Sequence, residues 1–374
     1  MQALRVLPRR SLALLPGSSK QFGPPRRWET WESYRPKHKA AWREVFPSQN
    51  CTYPVATANN DLQRRLWRDT WPAQGVAAIP QGRVLDAQGW PVAEKDTLLI
   101  DLAIGHHQLE YSALLTKRCV LDPTISGKAL NLGTCHAQEN YCHFLLEALP
   151  RLELFFRSGL TFDLIDWITV PNFPGGVRET FFNALQLPRK KLLHLSERRQ
   201  YAFEILYQPS FPGRESFVPP WVVDFYRKRV LQPLGIEQIK KRRLYASRRQ
   251  RGIANDAELW TFLKSRGFER IEPMTWEENV LAFASAEVVI GPHGAGLSNV
   301  VFCPAGAHLI ELMPGDRAFP YFYSAACAAS VNYHAILTTP LVPPGQEYTR
   351  LPSDEPAAVD VAMVKEKLNL LSIT

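Results

Sequence analysis

The sequence predicts an α/β protein with two domains. Three observations support this prediction: a length of 374 residues, strict alternation of strand and helix patterns in the second half, and a glycine-rich turn between a strand and a helix near residue 291. A chain of this length is long for a single hydrophobic core and has enough residues for two domains. Alternating strands and helices favour a parallel sheet with helices on both faces. With 45% apolar residues, the chain can bury large cores.

Three segments are expected along the chain. Residues 1–50 are rich in proline, arginine and tryptophan without a steady period, which predicts an irregular N-terminal arm packed on the surface. Residues 51–235 are expected to form an N-terminal α/β domain, and residues 236–374 a C-terminal Rossmann-like domain. The elements predicted in the first domain are short strands within 97–121, helix 138–159, strand 167–170, helix 177–187, strands 191–195 and 203–207, and helix 219–235.

The second domain has the more regular pattern. Each short apolar run is followed by a longer amphipathic one, as in successive βαβ units. The predicted strands are 243–246, 268–273, 288–290, 308–312 and 333–337. The helices between and after them are 256–266, 276–286, 297–302, 321–329 and a last amphipathic helix at 360–371.

Charge and cysteine content limit the classes of ligand and compartment. The formal charge is +8, which suits nucleic acid, a phosphorylated lipid carrier, an anionic membrane face or a nucleotide-sugar. The six cysteines form no CxxC pair and are interpreted as reduced thiols of a cytosolic protein. The apolar run at 12–15 is too short for a signal peptide core, and no apolar run approaches 18 residues. We therefore expect a cytoplasmic protein that associates at most peripherally with the inner membrane face.

The glycine-rich turn carries the clearest functional signal. It reads Gly291-Pro-His-Gly-Ala-Gly296 and joins an apolar strand to a helix-compatible stretch. In open α/β sheets ligands bind at this end of a strand, and a helix amino-terminus there favours anions. Gly294 and Gly296 have no Cβ, so backbone N–H groups can approach a phosphate, and His293 can donate to an oxyanion. A tight turn before an ordinary packed helix is the alternative. The spacing matches neither GxGxxG nor a P-loop.

A second candidate site lies on the predicted helix 138–159. Asn140, His143, Glu147 and Arg151 fall at offsets 0, 3, 7 and 11, so they share one face of an α-helix among apolar neighbours. Such a stripe should face a cleft, because unpaired polar groups in a core are costly. His143 and Glu147 could form a general base with its orienting partner. Alternatively, the stripe is internally satisfied and fixes the position of the helix. Pro150 is expected to kink or restart the helix.

A third candidate site follows the first strand of the second domain. Ser247, Arg248 and Arg251 lie in the loop before the next helix, at the same sheet edge as His293. Arginine side chains match phosphate oxygens bidentately and stay charged. A solvated basic loop would have the same composition. Its position at the end of a strand makes a clamp for a diphosphate the stronger interpretation.

These three segments together resemble glycosyltransferase family 61 over residues 131–314. The resemblance rests on N-Y-x-H-F-L-x-E-x-L-P-R-L from Asn140, S-R-x-x-R-x-I-x-N from Ser247, and G-x-H-G-A-G-L-x-N from Gly291 with the following Glu311. It implies a GT-B fold, in which two Rossmann-like domains face each other across a cleft, and a member of the bacterial capsular or exopolysaccharide type. Cys142 departs from the aromatic residue often found in the family, so packing on the acceptor side can differ.

The resemblance also implies the roles of individual residues. Glu147 or His143 is the expected base of an inverting transfer, with neither excluded. Asn140 and Arg151 are expected on the acceptor side. Glu311 is expected near the rim of the donor cleft, where it accepts from ribose hydroxyls, and the last helix is expected to pack back on the first domain. The residues expected to bind the donor are Ser247, Arg248, Arg251, His293, Gly294, Ala295, Gly296, Asn299 and Glu311.

No metal ion or cofactor is expected. Many sugar transferases hold a divalent ion with D-x-D, which the sequence lacks, and the two aspartates of Asp163-Leu-Ile-Asp166 have the wrong spacing. The charge of a leaving diphosphate would then be neutralised by Arg248, Arg251, His293 and the helix amino-terminus after Gly296. The nucleotide-sugar is a substrate.

The expected function is therefore transfer of a hexosyl, pentosyl or N-acetylhexosaminyl group from a nucleotide-sugar to a glycan or lipid-linked acceptor. An NAD(P)-dependent oxidoreductase would also use an α/β sheet and a glycine turn, but the fingerprint glycines are missing. A non-catalytic nucleic-acid-binding protein would fit the charge, but no recognition motif is visible, so no nucleic-acid partner is expected.

Overall fold

The computed structural model describes residues 25, 27–38, 40–53, 70–103, 119–173, 176–213, 217–249, 252–272, 275–315, 320–339 and 357–373. By the clustering of contacts, these residues divide into two units. The first contains the described residues up to 213 except 51–53, and the second contains 51–53 and the residues from 217 onward. The α/β class predicted from the sequence is confirmed. No helix in the described ranges has the length and apolar character needed to cross a bilayer.

The first unit contains two six-stranded sheets and a two-stranded ribbon. Its strands are β1 (Arg27–Glu29), β2 (Ala41–Phe46), β3 (Gln49–Asn50), β4 (Thr70–Trp71), β5 (Gln74–Pro80), β6 (Arg83–Leu85), β7 (Trp90–Ala93), β8 (Thr97–Leu99), β9 (Val120–Leu121), β10 (Lys128–Asn131), β11 (Trp167–Val170), β12 (Leu192–His194), β13 (Arg199–Ala202) and β14 (Ile205–Pro209). One sheet has the order β1-β8-β7-β6-β13-β9, the other β12-β11-β10-β14-β5-β2, and β3 pairs with β4.

The sheet that contains β10 leads into the candidate site with His143 and Glu147, because the chain passes from β10 to that helical segment. β12, β11, β10 and β14 run parallel, whereas β5 and β2 are antiparallel additions at one edge. The central strands β10 and β14 are apolar and largely buried, as expected where a sheet is covered on both faces. The helices of this unit are α1 (Trp31–His38), α2 (Ile100–Ala103), α3 (Tyr141–His143), a π-helical turn (Phe144–Ala148), α4 (Arg151–Arg157), α5 (Gly176–Ala184) and 3₁₀ turns at Glu94–Asp96, Phe162–Leu164 and Arg189–Lys191.

Two expectations for the first unit differ from the structure. Within the segment expected to be an irregular arm, the described part contains β1, β2, β3 and α1, and β1 and β2 are edge strands of the two large sheets. Short edge strands take their register from a partner elsewhere in the chain, so their own sequence shows little period. The long helix predicted at 138–159 is broken into α3, the π-helical turn and α4. Of the stretch 97–121, where short strands were predicted, residues 104–118 lie outside the described residues.

The second unit is built on one parallel sheet of five strands with the order β16-β15-β17-β18-β19. The strands are β15 (Arg242–Ala246), β16 (Phe268–Ile271), β17 (Ala286–Pro292), β18 (His308–Pro314) and β19 (Asn332–Thr338). The helices are α6 (Pro220–Tyr226) with a π-helical turn (Arg227–Leu231), α7 (Asp256–Ser265), α8 (Trp276–Ala284), a 3₁₀ helix (Ala295–Phe302), α9 (Tyr321–Ala328) and α10 (Val361–Leu370).

Helix α10 belongs to the core of the second unit. Val364 and Leu368 on α10 are fully buried in one apolar cluster with Leu259 and Leu263 of α7 and with residues of the central strands. The expectation that the last helix packs back on the first domain is therefore wrong. Burial of the apolar face of α10 against its own unit accounts for this placement, because that face matches the apolar face of α7.

Candidate active-site residues

The second unit places its candidate residues at the switch point of the parallel sheet. In chain order the strands occupy positions 2-1-3-4-5, so the connections leave β15 and β17 in opposite directions. In open α/β sheets a crevice forms there, beyond the carboxyl ends of the two strands. Ser247 and Arg248 directly follow β15, and His293 directly follows β17. The sequence prediction that these loops share one sheet edge is thus met by the strand order.

His293 is held by a buried carboxylate. Its Nδ1 lies 2.5 Å from Oε1 of Glu311, and the other oxygen of Glu311 accepts from the Tyr333 hydroxyl at 2.7 Å. The Glu311 side chain is fully buried, whereas the His293 side chain retains 21% of its exposure. A carboxylate at Nδ1 fixes the orientation of the ring. The three residues therefore form a chain of hydrogen bonds from β19 through β18 to the loop.

This geometry corrects the role expected for Glu311. A residue at the rim of a cleft could accept from ribose hydroxyls, but Glu311 is buried in the middle of β18, with neighbouring strands on both sides. Both of its oxygens already accept hydrogen bonds within the unit. Its position in the strand, rather than after it, explains the burial. Glu311 is a residue that positions His293.

Arg248 lies across the backbone of the glycine loop. Its Nη1 donates to the carbonyl oxygen of His293, and the side chain as a whole is exposed. A Cβ added at Gly294 would lie 2.5 Å from Nη1, 2.7 Å from Cζ and 2.9 Å from Cδ of Arg248. Glycine is needed here because the guanidinium packs directly against the main chain. The clamp predicted from Arg248 and His293 has these two residues in contact.

The remaining loop residues shape an open surface. A Cβ at Gly296 would meet no atom of the described residues within 4 Å. The segment from Ala295 to Phe302 is a 3₁₀ helix in which Asn299 Nδ2 donates to the Gly296 carbonyl at 3.0 Å. The Leu297 N–H donates to the Gly294 carbonyl at 2.9 Å, and the two bonds close the first turn. Ser247 is tied to β16 through a 3.1 Å bond to the Ile271 carbonyl. Arg251 lies outside the described residues.

In the first unit, His143 and Glu147 are in contact. His143 Nδ1 lies 3.0 Å from Glu147 Oε2, and the two side chains are 17% and 20% exposed. Burial lowers the pKa of His143, but the negative charges of Glu147 and Glu139 outweigh it, so the pKa of His143 is raised above its ordinary value. Glu139 is itself paired with His136 at 2.7 Å. The two side chains thus form an ion-pair contact and retain some exposure to solvent.

The π-helical turn Phe144–Ala148 separates His143 from Arg151. Such turns insert one extra residue into a helix and occur often at functional sites. The bond from Leu149 N–H to the Phe144 carbonyl closes the turn, and Pro150 then starts α4, as predicted. His143 and Glu147 are in contact, as the offsets of a continuous α-helix predict. The extra residue of the π-helical turn rotates Arg151 away from the helix face on which a continuous α-helix would place it.

Arg151 is fully buried with few partners. Its Nη1 donates to the Gly133 carbonyl at 3.0 Å, and its guanidinium lies 4.5 Å from the centre of the Phe211 ring. Nε and Nη2 of Arg151 are buried without a hydrogen-bond partner in the described structure. Burial lowers the pKa of Arg151 to about 10, and the charge of Glu147 opposes that shift. A buried cation with open donors is costly for a fold and typical of a site that meets a ligand.

Asn140 has a structural task. Its Oδ1 accepts from the Cys142 N–H at 2.9 Å, which caps the amino-terminus of α3. The acceptor-side role expected from the resemblance stays untested.

Sequence reasoning missed Tyr333 and Phe322. Tyr333 completes the hydrogen bonds of Glu311, and the Phe322 ring lies 5.0 Å from the His293 ring. Tyr333 lies on β19, which pairs with the strand that carries Glu311, and Phe322 lies on the helix between these two strands. A Tyr in the next predicted strand after a strand Glu was the available signal. Among the described residues, no group of three or more His, Cys, Asp or Glu is arranged to hold a metal ion.

A comparison with protein families gave a match over the part of the chain that contains these residues. The Glycosyltransferase 61 family model matches residues 141–310, which include α3, both loops of the switch point and Ile310 of β18. The match indicates an enzyme that transfers glycosyl groups. It supports glycosyltransferase family 61 as the family of this protein. A comparison with curated proteins found no match.

Proposed function

We propose that the protein transfers a sugar from a nucleotide diphosphate donor to a hydroxyl of a glycan or lipid-linked acceptor, with inversion at the anomeric carbon. The observation that supports this proposal is the contact between Arg248 and the His293 carbonyl at the switch point of a parallel sheet. In the proposed arrangement the two units are the two domains of a GT-B enzyme.

The donor diphosphate would lie against the loop from His293 to Gly296. Arg248 supplies a permanent positive charge, His293 Nε2 donates to a phosphate oxygen when the ring is protonated, and the loop N–H groups contribute further donors. These groups would stabilise the charge that develops as the bond between the anomeric carbon and the diphosphate breaks. The sequence has no D-x-D motif, and the proposed reaction uses no metal ion.

The acceptor proton would be taken by the His143–Glu147 pair. The acceptor oxygen forms a bond to the anomeric carbon, the bond to the diphosphate breaks, the nucleoside diphosphate leaves, and the proton passes to the base. If His143 is the base, Glu147 stabilises the imidazolium formed, as the raised pKa of His143 indicates. If Glu147 is the base, His143 orients it. Neither arrangement forms a covalent sugar–enzyme intermediate.

A panel of nucleotide-sugars tests the function, with release of the nucleoside diphosphate as the readout. Calorimetric titration of the matching nucleoside diphosphate against Arg248→Ala should show a loss of about 10-fold or more in affinity, since a charge-assisted bond is worth about 1.5–3 kcal/mol. Arg249→Ala is the matched control, because Arg249 is 78% exposed and pairs with Glu272 at 3.4 Å. Binding of NADPH or of nucleic acid instead, with no nucleotide-sugar bound, would contradict the proposal.

Peripheral association with an anionic membrane is part of the proposal. Leu234 and Ile239 are 46% and 48% exposed on the segment between α6 and β15, and Leu281 on α8 is 50% exposed. Main-chain bonds from Ile239 to Ala284 and from Lys241 to Ser285 hold this segment beside the end of α8. Exposed apolar side chains next to cations suit an anionic lipid surface.

The segment between α6 and β15 has five cations, Arg227, Lys228, Arg229, Lys240 and Lys241, and one carboxylate, Glu237, and α8 adds Glu277 and Glu278. Flotation with vesicles of phosphatidylserine and phosphatidylcholine should recover the protein, and vesicles of phosphatidylcholine alone should not. Lys240→Glu with Lys241→Glu should reduce recovery, whereas Lys190→Glu on the first unit should not. Recovery that is independent of lipid charge would contradict this part of the proposal.

A further inference from the structure

The first unit contains a pocket of about 470 Å³ that the donor and base residues do not use. It is lined by residues of α1, β2 and α2 and by the segment that follows β14, all within the first unit. Its volume lies in the range of sites that hold a small molecule or one or two sugar rings. The lining is mixed, with two tryptophans and several charged side chains.

Two tryptophans form one wall. The rings of Trp31 and Trp42 have their centres 5.9 Å apart and are inclined at 44°. Trp31 is only 5% exposed, yet its Nε1–H is buried without a hydrogen-bond partner in the described structure. Nε1 has almost no accessible surface, so Trp31 contributes a fixed apolar wall rather than an exposed donor. Trp42 is only partly buried and offers apolar ring surface.

The charged side chains that line the pocket are mostly acidic. The lining includes three carboxylates, of Glu32, Glu44 and Asp101, and one cation, Arg35. Glu32, Arg35 and Glu44 are exposed and form no ion pair with any residue that the structure describes. This acidic lining contrasts with the net charge of +8 on the whole chain. It disfavours a phosphate or carboxylate ligand and suits hydroxyl groups, which donate to carboxylate oxygens.

One residue connects the pocket to the candidate acceptor side. Phe211 lines the pocket, and the guanidinium of Arg151 lies 4.5 Å from the centre of its ring. Arg151 begins α4, on the same chain segment as His143 and Glu147. A ligand in the pocket would therefore bind in the unit that carries the proposed base, at a place separated from Arg151 by a single ring.

We infer that this pocket binds a neutral sugar unit of the acceptor, with a sugar ring against Trp42, sugar hydroxyls that donate to Glu44, and sugar oxygens that accept from Arg35. The assignment to an acceptor rests on the proposed glycosyl transfer. The binding of a neutral saccharide does not depend on it. Neutral sugar rings have an apolar face that packs on an indole and a rim of hydroxyls, and both features match the lining.

Saccharide binding is tested by saturation-transfer NMR and calorimetry on the full chain. The probes are neutral pentasaccharides of xylose, glucose and N-acetylglucosamine, with a galacturonate oligosaccharide as the anionic probe. At least one neutral probe should bind, and the galacturonate probe should bind at least 10-fold more weakly. Glu44→Gln should weaken the neutral probe by about 10-fold, in line with the loss of a hydrogen bond to a charged group. Glu197→Gln, an exposed carboxylate of the same unit outside the pocket, should leave binding unchanged.

Trp42→Leu should abolish binding, and its own melting temperature is measured to detect a folding defect; the Glu44→Gln result tests the inference without altering the tryptophan. Three results would overturn the inference: no binding of any neutral probe, preference for galacturonate, or equal losses in Glu44→Gln and Glu197→Gln. Nucleoside diphosphate affinity is measured on the same samples. Saccharide binding without donor binding would contradict the glycosyltransferase proposal and leave the pocket standing, whereas donor binding without saccharide binding would do the reverse.

Discussion

Substitution of Gly294 by alanine should separate donor binding from stability. The backbone at Gly294 has φ 169° and ψ 161°, an extended conformation that alanine adopts without strain. The added Cβ, however, would lie 2.5 to 2.9 Å from three atoms of the Arg248 side chain. Real Cβ contacts are longer than this, so Arg248 must move. Because Arg248 is exposed and flexible, moving it costs the fold little.

The size of the effect follows from the contact that is lost. Arg248 would leave the His293 carbonyl and could no longer hold its guanidinium against the glycine loop. A charge-assisted hydrogen bond contributes about 1.5–3 kcal/mol, so nucleoside diphosphate affinity should fall by about 10- to 150-fold. Gly294 is itself buried, but the three atoms nearest to the added Cβ belong to the exposed Arg248 side chain, so the free energy of unfolding should fall by no more than about 1 kcal/mol.

Calorimetry and urea denaturation on Gly294→Ala measure the two quantities. Gly176→Ala is the matched control, since a Cβ there would meet no atom within 4 Å and Gly176 lies in the first unit. Arg248→Ala should lose as much affinity as Gly294→Ala, and the double variant should lose no more than either, because both act through one side chain. Unchanged affinity in Gly294→Ala, or fully additive losses in the double variant, would refute the role assigned to Arg248.

Three further substitutions test the other contacts. Glu147→Gln removes the negative charge that raises the pKa of His143, so burial should then lower that pKa. If His143 is the base, the acid limb of the pH–rate profile should move to lower pH. An unmoved limb would show that His143 does not titrate in the reaction. The stabilisation by this pair is fully present below the ordinary pKa of histidine and is lost as the pH rises through the raised pKa, so the melting temperatures of wild type and Glu147→Gln should converge at high pH. Arg151→Met should leave the free energy of unfolding unchanged or higher, since an apolar replacement of a buried charge is often neutral or stabilising by about 1–4 kcal/mol, while turnover falls; a destabilisation of about 3 kcal/mol in urea would instead make Arg151 a structural residue. Glu311→Gln should destabilise the second unit by about 1.5–3 kcal/mol, because both oxygens of the carboxylate are used, and equal stability in urea would contradict the chain of hydrogen bonds.

The second unit could be predicted from the sequence almost element by element. Its strands are short apolar runs buried on both faces, and each helix follows with its own amphipathic period, so local pattern and final structure agree. The switch point followed from the order of those elements together with the glycine turn. The burial of Glu311 did not, because a carboxylate inside an apolar strand depends on partners from other elements, His293 and Tyr333.

The first unit resisted sequence reasoning for a different reason. Strands β5, β6 and β7 are buried along nearly their whole length and carry two buried polar side chains, Gln74 and Arg83. Arg83 donates to Gln200, which lies 117 residues further along the chain, and to Asp96, which lies 13 residues further along. Period alone reports such strands poorly, since their polar positions are satisfied by tertiary partners.

The π-helical turn at Phe144–Ala148 makes the length of this helix a sensitive parameter. An α-helix turns about 100° per residue, so deleting Leu145 would restore ordinary α-helical spacing and rotate everything beyond it by about that angle. Glu147 would stand three residues after His143 and stay its neighbour, whereas Arg151 would rotate away from the Gly133 carbonyl and the ring of Phe211. The composition of the helix would barely change, and its apolar residues would still find a core. A family member that lacks one residue here should therefore fold and yet place its base and its buried arginine on different walls, so a gap of one residue in this helix marks a change of chemistry rather than a tolerated deletion.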